Sequence, residues 1–267
     1  MRRIITTAVL AALATVLCAQ TELEVPALLS IDDPDNYQFI DHSTKEYGRT
    51  FCCEYYYAWK TPLWVAYQLH SGNSEKNVSR SSTDFKADSS IPYAYRVQNW
   101  MYDKTVFCRG HLCPSQDRLC STEQNEQTFL LSNIVPQYPK HNTSIWKRLE
   151  NIIAKRYNTD AFRDTLYIVK GPVYASTRTV LSYSDLVYPA QFFCAILRVK
   201  DGNYSAIAFL TDHQNTRTWS PKWDDYLLSV DDLEDLTGID FFANLDDDIE
   251  AEVEASYTKS TWGFPDP

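Results

Sequence analysis

Beyond Leu17 the chain has no long apolar run, and nothing there approaches the roughly 20 residues of a membrane-spanning helix, so a helical span in that part is excluded. The cysteines at 52, 53, 108, 113, 120 and 194 contain no pair with the two-residue gap that zinc ligands prefer, which disfavours a structural zinc site. There is no internal repeat, and there is no dense cage of carboxylates of the kind a two-metal phosphatase uses. Positive charge is scarce, with 25 Lys and Arg against 35 Asp and Glu and a formal net charge of -10. That balance argues against a tight nucleic-acid binder, whose affinity comes from neutralising many phosphates.

The charge is unevenly spread. The stretch 224–254 holds 13 Asp or Glu and no Lys or Arg, so the rest of the chain carries a formal +3. Lys140, Lys147, Arg148, Lys155, Arg156 and Arg163 cluster in the middle of the sequence. A mild local basic field there suits an enzyme that must release its product.

Residues 1–19 read as a secretory leader: Arg2 and Arg3, an apolar run from Ile4 to Leu17, and Ala19 before a cut at Gln20. Cys18 raises the alternative of a lipoprotein cut, against which Leu17 is too large a neighbour. Export, to the periplasm or outside the cell, is the expectation. Six cysteines then remain, and an even number in an exported chain favours disulfides, with Cys113 and Cys120 as one candidate pair.

Residues 20–50 are polar and turn-rich and are expected to form a loosely packed arm. Strands are predicted at 51–59 and 63–69, joined by a turn at Lys60-Thr61-Pro62. A long polar loop, 71–90, carries Arg80. Further strands are predicted at 107–112 and 128–135, then at 166–169, 192–199 and 205–210. Ile145, Leu149, Ile152 and Ile153 recur at helical spacing, which predicts an amphipathic helix over 142–157. Ser229 followed by Asp232 marks the start of a short helix that Gly238 would stop. The pattern is α+β: one domain of antiparallel sheet with a few helices.

Arg109, His111, Asn133, Asn142 and Glu150 stand close together in the order strand, loop, strand, helix. Hydrolysis of a phosphodiester needs an activated water, charge stabilisation at phosphorus and help for the departing oxygen. His111, with an ordinary pKa near 6.5, would be neutral at pH 7, able to accept a proton, and disabled in acid. Arg109, two residues away on a strand, would project from the same face and aim its guanidinium at the same phosphate. Gly110 between them leaves room for close approach. Asn142 suits a helix N-cap as well as a metal ligand. Glu150 lies eight residues on, about 80° round the helix from it, and suits a solvated lysine partner as well as a metal site. One amide oxygen and one carboxylate match Mg²⁺, a hard ion that keeps several waters.

The segments FCRGHLCPSQDRL, TFLLSNIVPQ and HNTSIWKRLE, in this order, resemble the signature of the DNA/RNA non-specific endonucleases, whose site is a ββα-metal (His-Me finger) motif. The likeness extends to PLWVAYQL and Arg80 upstream and to YIVKGPVY, PAQFFCAIL and SVDDLEDLTGIDFF downstream. It implies a hydrolase acting on DNA and RNA that leaves 5′-phosphate and 3′-hydroxyl ends. It implies His111 as general base, Asn142 as the protein ligand of one hydrated Mg²⁺ (Mn²⁺ substituting), and Glu150 on a metal-bound water. Asn133 would orient the site, Arg109 would stabilise the transition state and Arg80 would contact phosphate. The family has Asp where this chain has Cys108, a weaker acceptor. Asn142-Thr143-Ser144 is also a glycosylation sequon, and a glycan there would remove the ligand. The expected organisation is a leader at 1–19, an arm and first strand at 20–59, the nuclease domain at 60–255 and a tail at 256–267. A small-nucleotide phosphodiesterase and a non-catalytic nucleic-acid-binding or interaction protein are the competing readings.

Overall fold

A computed structural model describes residues 22–103, 105–175, 179–181 and 184–265, so the leader expected at 1–19 lies outside the described residues. Seven strands form one antiparallel sheet in the order β1-β2-β3-β6-β7-β8-β9: β1 (Tyr37–Thr44), β2 (Gly48–Tyr56), β3 (Thr61–His70), β6 (Thr165–Val173), β7 (Gln191–Lys200), β8 (Asn203–Asp212) and β9 (Leu227–Leu228). A separate hairpin pairs β4 (Cys108–His111) with β5 (Ile134–Gln137). The helices are α1 (Thr122–Gln127), the helical run α2 over 139–157, α3 (Val230–Thr237) and α4 (Asp247–Glu254).

Alternation along the central strands makes two cores, because successive side chains point to opposite faces. Val65, Tyr67 and Leu69 of β3 join Phe192, Cys194 and Ile196 of β7 on one face, where they pack against Trp146, Leu149 and Ile153 of α2 and Val135 of β5. Trp64 and Ala66, with Phe193, Ala195 and Leu197, line the other face beneath Val230 and Leu233 of α3. The hairpin and α2 are thus clamped to one face, and α3 and α4 to the other. Leu149 is fully buried in the first core, and truncating it to Ala is expected to cost about 2–5 kcal/mol.

Three expectations are corrected. The stretch 20–50 is not a loose arm: β1 pairs with β2 from Tyr37↔Tyr56 to Thr44↔Gly48, and Val25, Leu28 and Ile40 are buried. Its polar residues mislead because β1 is an edge strand with one solvated face. The segment 128–133 is a turn, so β5 is confined to Ile134–Gln137. The six cysteines from Cys52 to Cys194 are free thiols, Cys113 and Cys120 included. Cys120 Sγ bonds Gln124 Oε1 at 3.2 Å, and buried Arg118, between the two cysteines in sequence, donates to Thr50 O and Gln68 O. Cys52 and Cys53, being neighbours on a strand, fall in different cores.

Helix α3 follows its sequence signals. Ser229 Oγ accepts the Asp232 N–H at 3.1 Å, and Gly238 ends the helix with φ +68°.

Candidate active site

The hairpin sets its residues by pleat. Arg109 opposes Pro136 and His111 opposes Ile134, and both side chains face one cleft. Gly110 faces the other way, where a Cβ would overlap the side chain of Gln137. Gln137 in turn bonds His141 Nδ1 at 2.8 Å, which locks the hairpin to α2. The glycine therefore serves close packing between hairpin and helix.

Helix α2 begins at Pro139, three residues earlier than predicted, with proline at the position where a missing N–H does no harm. Asn142 is therefore inside the helix (φ -56°, ψ -43°), not its cap, and it opens a π-helical turn, Asn142–Trp146. Such wide turns recur at functional sites. The N-terminal end of α2 is fixed by His213, whose Nε2 accepts the Tyr138 N–H at 2.7 Å.

A cleft of about 390 Å³ between hairpin and helix is lined by Arg80, Phe85, Arg109, His111, Gln116, Asn142, Lys147 and Glu150, with Pro114, Ser115 and Thr143. Five of the six residues singled out from the sequence meet there. Asn133 does not: it is fully buried behind the hairpin, where its Oδ1 accepts from Cys113 N (2.8 Å) and its Nδ2 donates to Cys113 O (2.9 Å) and Thr128 O (2.8 Å). That clasp fixes the loop that leaves His111.

His111 packs against Phe85 and edge-on to Phe129, each with ring centroids 5.3 Å away, and its Nε2 has no hydrogen-bond partner. Burial, then Arg80 and Lys147, push its pKa down to about 3. The ring is consequently neutral far into acid, and the ordinary value near 6.5 expected from sequence does not apply. Arg109 is braced by Asn99, through Nε to Oδ1 (2.6 Å) and NH2 to the carbonyl (2.8 Å), and lies over Tyr102 and Phe85. Arg80 sits over the Phe129 ring at 4.9 Å, and its loop is pinned where Ser81 N donates to Asn125 Oδ1. Asn125 also donates to Ser115 O at 2.7 Å, so one buried amide ties the Arg80 loop to the cleft wall.

Glu150 is 7% exposed. Burial raises its pKa, opposed by Lys170 and then Lys147, whose Nζ lies 3.2 Å from Oε2. Lys170, from YIVKGPVY, is fully buried between the rings of Tyr67 and Trp146, and its Nζ has no hydrogen-bond partner. Cys108 stands where the family has Asp. Its thiol donates to Gln137 O (3.1 Å) and accepts from Asn142 Nδ2 (3.4 Å). With the amide nitrogen so engaged, Asn142 Oδ1 is the atom left as a ligand. An amide oxygen beside a buried carboxylate fits a hard divalent metal that takes few protein ligands.

The basic cluster expected around the site is largely used elsewhere. Arg148 donates to Ser220 O and Pro221 O, Arg156 to Gly263 O, and Arg163 to Asn158 and Asp160. Only Lys147 of that group lines the cleft. Sequence reasoning missed Gln116, which lies inside the quoted CPSQD, and Lys170, inside YIVKGPVY. Phe85, Asn99 and Asn125 carried no local signal.

A hairpin and helix that bring an imidazole, an amide and a carboxylate to one basic cleft define a ββα-metal nuclease. The sequence matches the family of DNA/RNA non-specific endonucleases over residues 38–248, and the chain belongs to that family. It is 31% identical over 236 residues to a nuclease of Nostoc sp., covering 83% of this chain and 79% of that one. It is 30% identical to the mitochondrial nuclease EXOG of Xenopus laevis, covering 71% of this chain and 55% of that protein. Mitochondrial endonuclease G of Bos taurus is 27% identical, with 68% and 64% covered. The fold matches a crystal structure of the EndoG/EndoGI complex with TM-score 0.68 at 23% identity, over 77% of this chain and 86% of that one. The protein is accordingly a metal-dependent hydrolase of the endonuclease class, acting on DNA and RNA. No helix among the described residues is long and apolar enough to cross a membrane.

Proposed function

We propose that the protein is an exported, Mg²⁺-dependent endonuclease that cuts DNA and RNA with little sequence preference and leaves 5′-phosphate ends, Mn²⁺ substituting for Mg²⁺. The observation that carries this reading is the convergence of His111, Asn142 and Glu150 with Arg80, Arg109 and Lys147 on one cleft. The imidazole of His111, neutral and held between aromatic rings, takes the proton from the attacking water. Arg109, aimed by Asn99, stabilises the charge that builds on the phosphate, and Arg80 and Lys147 hold the strand's neighbouring phosphates. Glu150, steadied by Lys147, is placed to accept hydrogen bonds beside the amide oxygen of Asn142. Held by Asn142 and Glu150, Mg²⁺ would supply charge neutralisation at the scissile phosphate and its departing oxygen. Export rests on the leader-like composition of residues 1–19.

The test is digestion of plasmid, RNA and a dinucleotide by purified protein with and without EDTA. Polymers should be cut, EDTA should abolish cutting, and His111→Ala should lose at least about a hundredfold in rate, the usual contribution of a general base. Cutting that ignores EDTA, or a His111→Ala protein as fast as the parent, would overturn the reading.

A further inference from the structure

On the sheet face opposite the cleft, Asp231 and Glu234 of α3 meet Glu254, the last residue of α4. One carboxylate oxygen from each lies within 4.8 Å of the others. Glu254 is only 3% exposed, and its Oε1 is buried with no hydrogen-bond partner. A carboxylate at a helix C-terminus also opposes the helix dipole, so nothing in its own helix compensates it. Neither does any cation from the surrounding sequence. The stretch 224–254 contains no Lys or Arg, and the next one, Lys259, is paired with Asp224 at 3.0 Å. Leaving a charge buried among like charges is unfavourable unless a counter-ion or a proton joins it.

We propose that Asp231, Glu234 and Glu254 form a calcium site that ties α3 to α4 on the outer face of the sheet. The donors are all carboxylate oxygens, with no sulfur or imidazole, which selects a hard cation over zinc or copper. A few carboxylates with room for water suit the flexible, oxygen-rich shell of Ca²⁺, whereas Mg²⁺ demands near-ideal octahedral geometry. Asp231 is exposed and Glu234 partly so, which leaves an open side for the waters that complete the shell. Glu234 keeps one oxygen on the Phe241 N–H at 2.7 Å, so its carboxylate is already oriented. Burial and then the neighbouring Asp240, Asp231 and Glu250 push Glu234 up to about 7; burial, followed by Glu234, Glu250, Asp231 and Asp240, pushes Glu254 up to about 9. The assignment is independent of the nuclease reading, because no residue of the cleft takes part.

The experiment uses the full chain carrying Asn142→Ala, so that the cleft does not contribute cation binding, titrated with calcium chloride by calorimetry at about pH 7.5. Melting temperature is measured in parallel at about 10 mM calcium, above the Kd range of weak extracellular sites. One calcium per chain and a rise of several degrees in melting temperature are expected, with magnesium at the same concentration less effective. Adding Asp231→Asn or Glu254→Gln should weaken binding at least about tenfold and remove the thermal response. If Glu254→Gln does not fold, the exposed Asp231→Asn decides. Calcium binding that survives both substitutions overturns the site. So does a protein indifferent to calcium whose melting temperature simply rises as pH falls from about 9 to 6, which would mean that the carboxylates share protons instead.

Discussion

Glu150 and Glu254 are buried to similar depth, 7% and 3% exposed, in opposite fields. Glu150 faces Lys170 and Lys147, while Glu254 faces Glu234, Glu250, Asp231 and Asp240. The sheet between them separates a cationic cleft from an anionic outer face. Much of the acidic stretch 224–254 belongs to α3 and α4 on the outer face, so the formal charge of -10 says little about the field that a nucleic acid meets at the cleft. Burial alone would raise both carboxylates; the charges packed around each decide how readily it ionises.

The sharpest way to break this contrast is to neutralise each carboxylate in turn. Glu150→Gln should lower the rate of plasmid cutting by about 10–100-fold, the usual effect of losing a group that steadies a bound metal through its water. Glu254→Gln should leave cutting unchanged at saturating Mg²⁺. Equal losses from both would mean that Glu150 acts through stability alone.

The two faces should also titrate in opposite directions. On the cleft side, burial lowers His111 and His141 to about 3 and His213 to about 4. The folded state then binds fewer protons than the unfolded one. The stability these groups contribute is complete above about pH 6.5 and is lost as pH falls toward their folded values, by up to about 1.4 kcal/mol per pH unit for each. On the outer face, Glu234 (about 7) and Glu254 (about 9) are raised, so the folded state binds more protons. Their contribution is complete below about pH 4.5 and is lost as pH rises through those values. Melting temperature without calcium should be maximal in mildly acid solution. His141→Gln should flatten the acid side and Glu254→Gln the alkaline side; a profile unmoved by both would refute the assignment.

A smaller effect is expected from Lys170→Met. Removing this buried cation takes away the first influence that keeps Glu150 ionised, so the acid limb of activity should move to higher pH while activity near pH 8 falls by about tenfold or less. An unchanged profile in Lys170→Met would confine Lys170 to packing against Tyr67 and Trp146.

The order of hairpin and helix, the capping of α3 by Ser229 and the positions of His111, Asn142 and Glu150 were legible because each depends on local spacing. Arg109 and His111 share a face since alternate strand residues must. What was hidden depends on distant pairing. Tyr37–Thr44 reads as polar loop because an edge strand keeps one wet face, and its partner, β2, is what makes it a strand. Asn133, expected to orient the site, does not line the cleft: its three hydrogen bonds to Cys113 and Thr128 make it a buried clasp behind the hairpin. Asn99 and Asn125 aim the two arginines from segments with no pattern of their own. The helix start was misplaced because Asn142 is a good cap residue, whereas Pro139 and the His213 bond to Tyr138 set the start one turn earlier.

The smallest effect expected is at Cys108, and it is the most informative about how this chain departs from its family. Burial raises the thiol's pKa, with Asn142 as the first opposing influence, so it meets the Asn142 amide as a neutral, weak acceptor at 3.4 Å. That contact decides which way the amide faces. Cys108→Ala should free the amide to flip and raise the Mg²⁺ concentration needed for half-maximal rate by a few-fold, about tenfold at most, with little change in the saturated rate. Cys108→Asp supplies an ionised acceptor, whose hydrogen bonds are roughly twice as strong, and should lower that concentration below the parent's. A magnesium dependence identical in all three proteins would mean that the amide is held by the helix, and that the thiol is there for its bond to Gln137 alone.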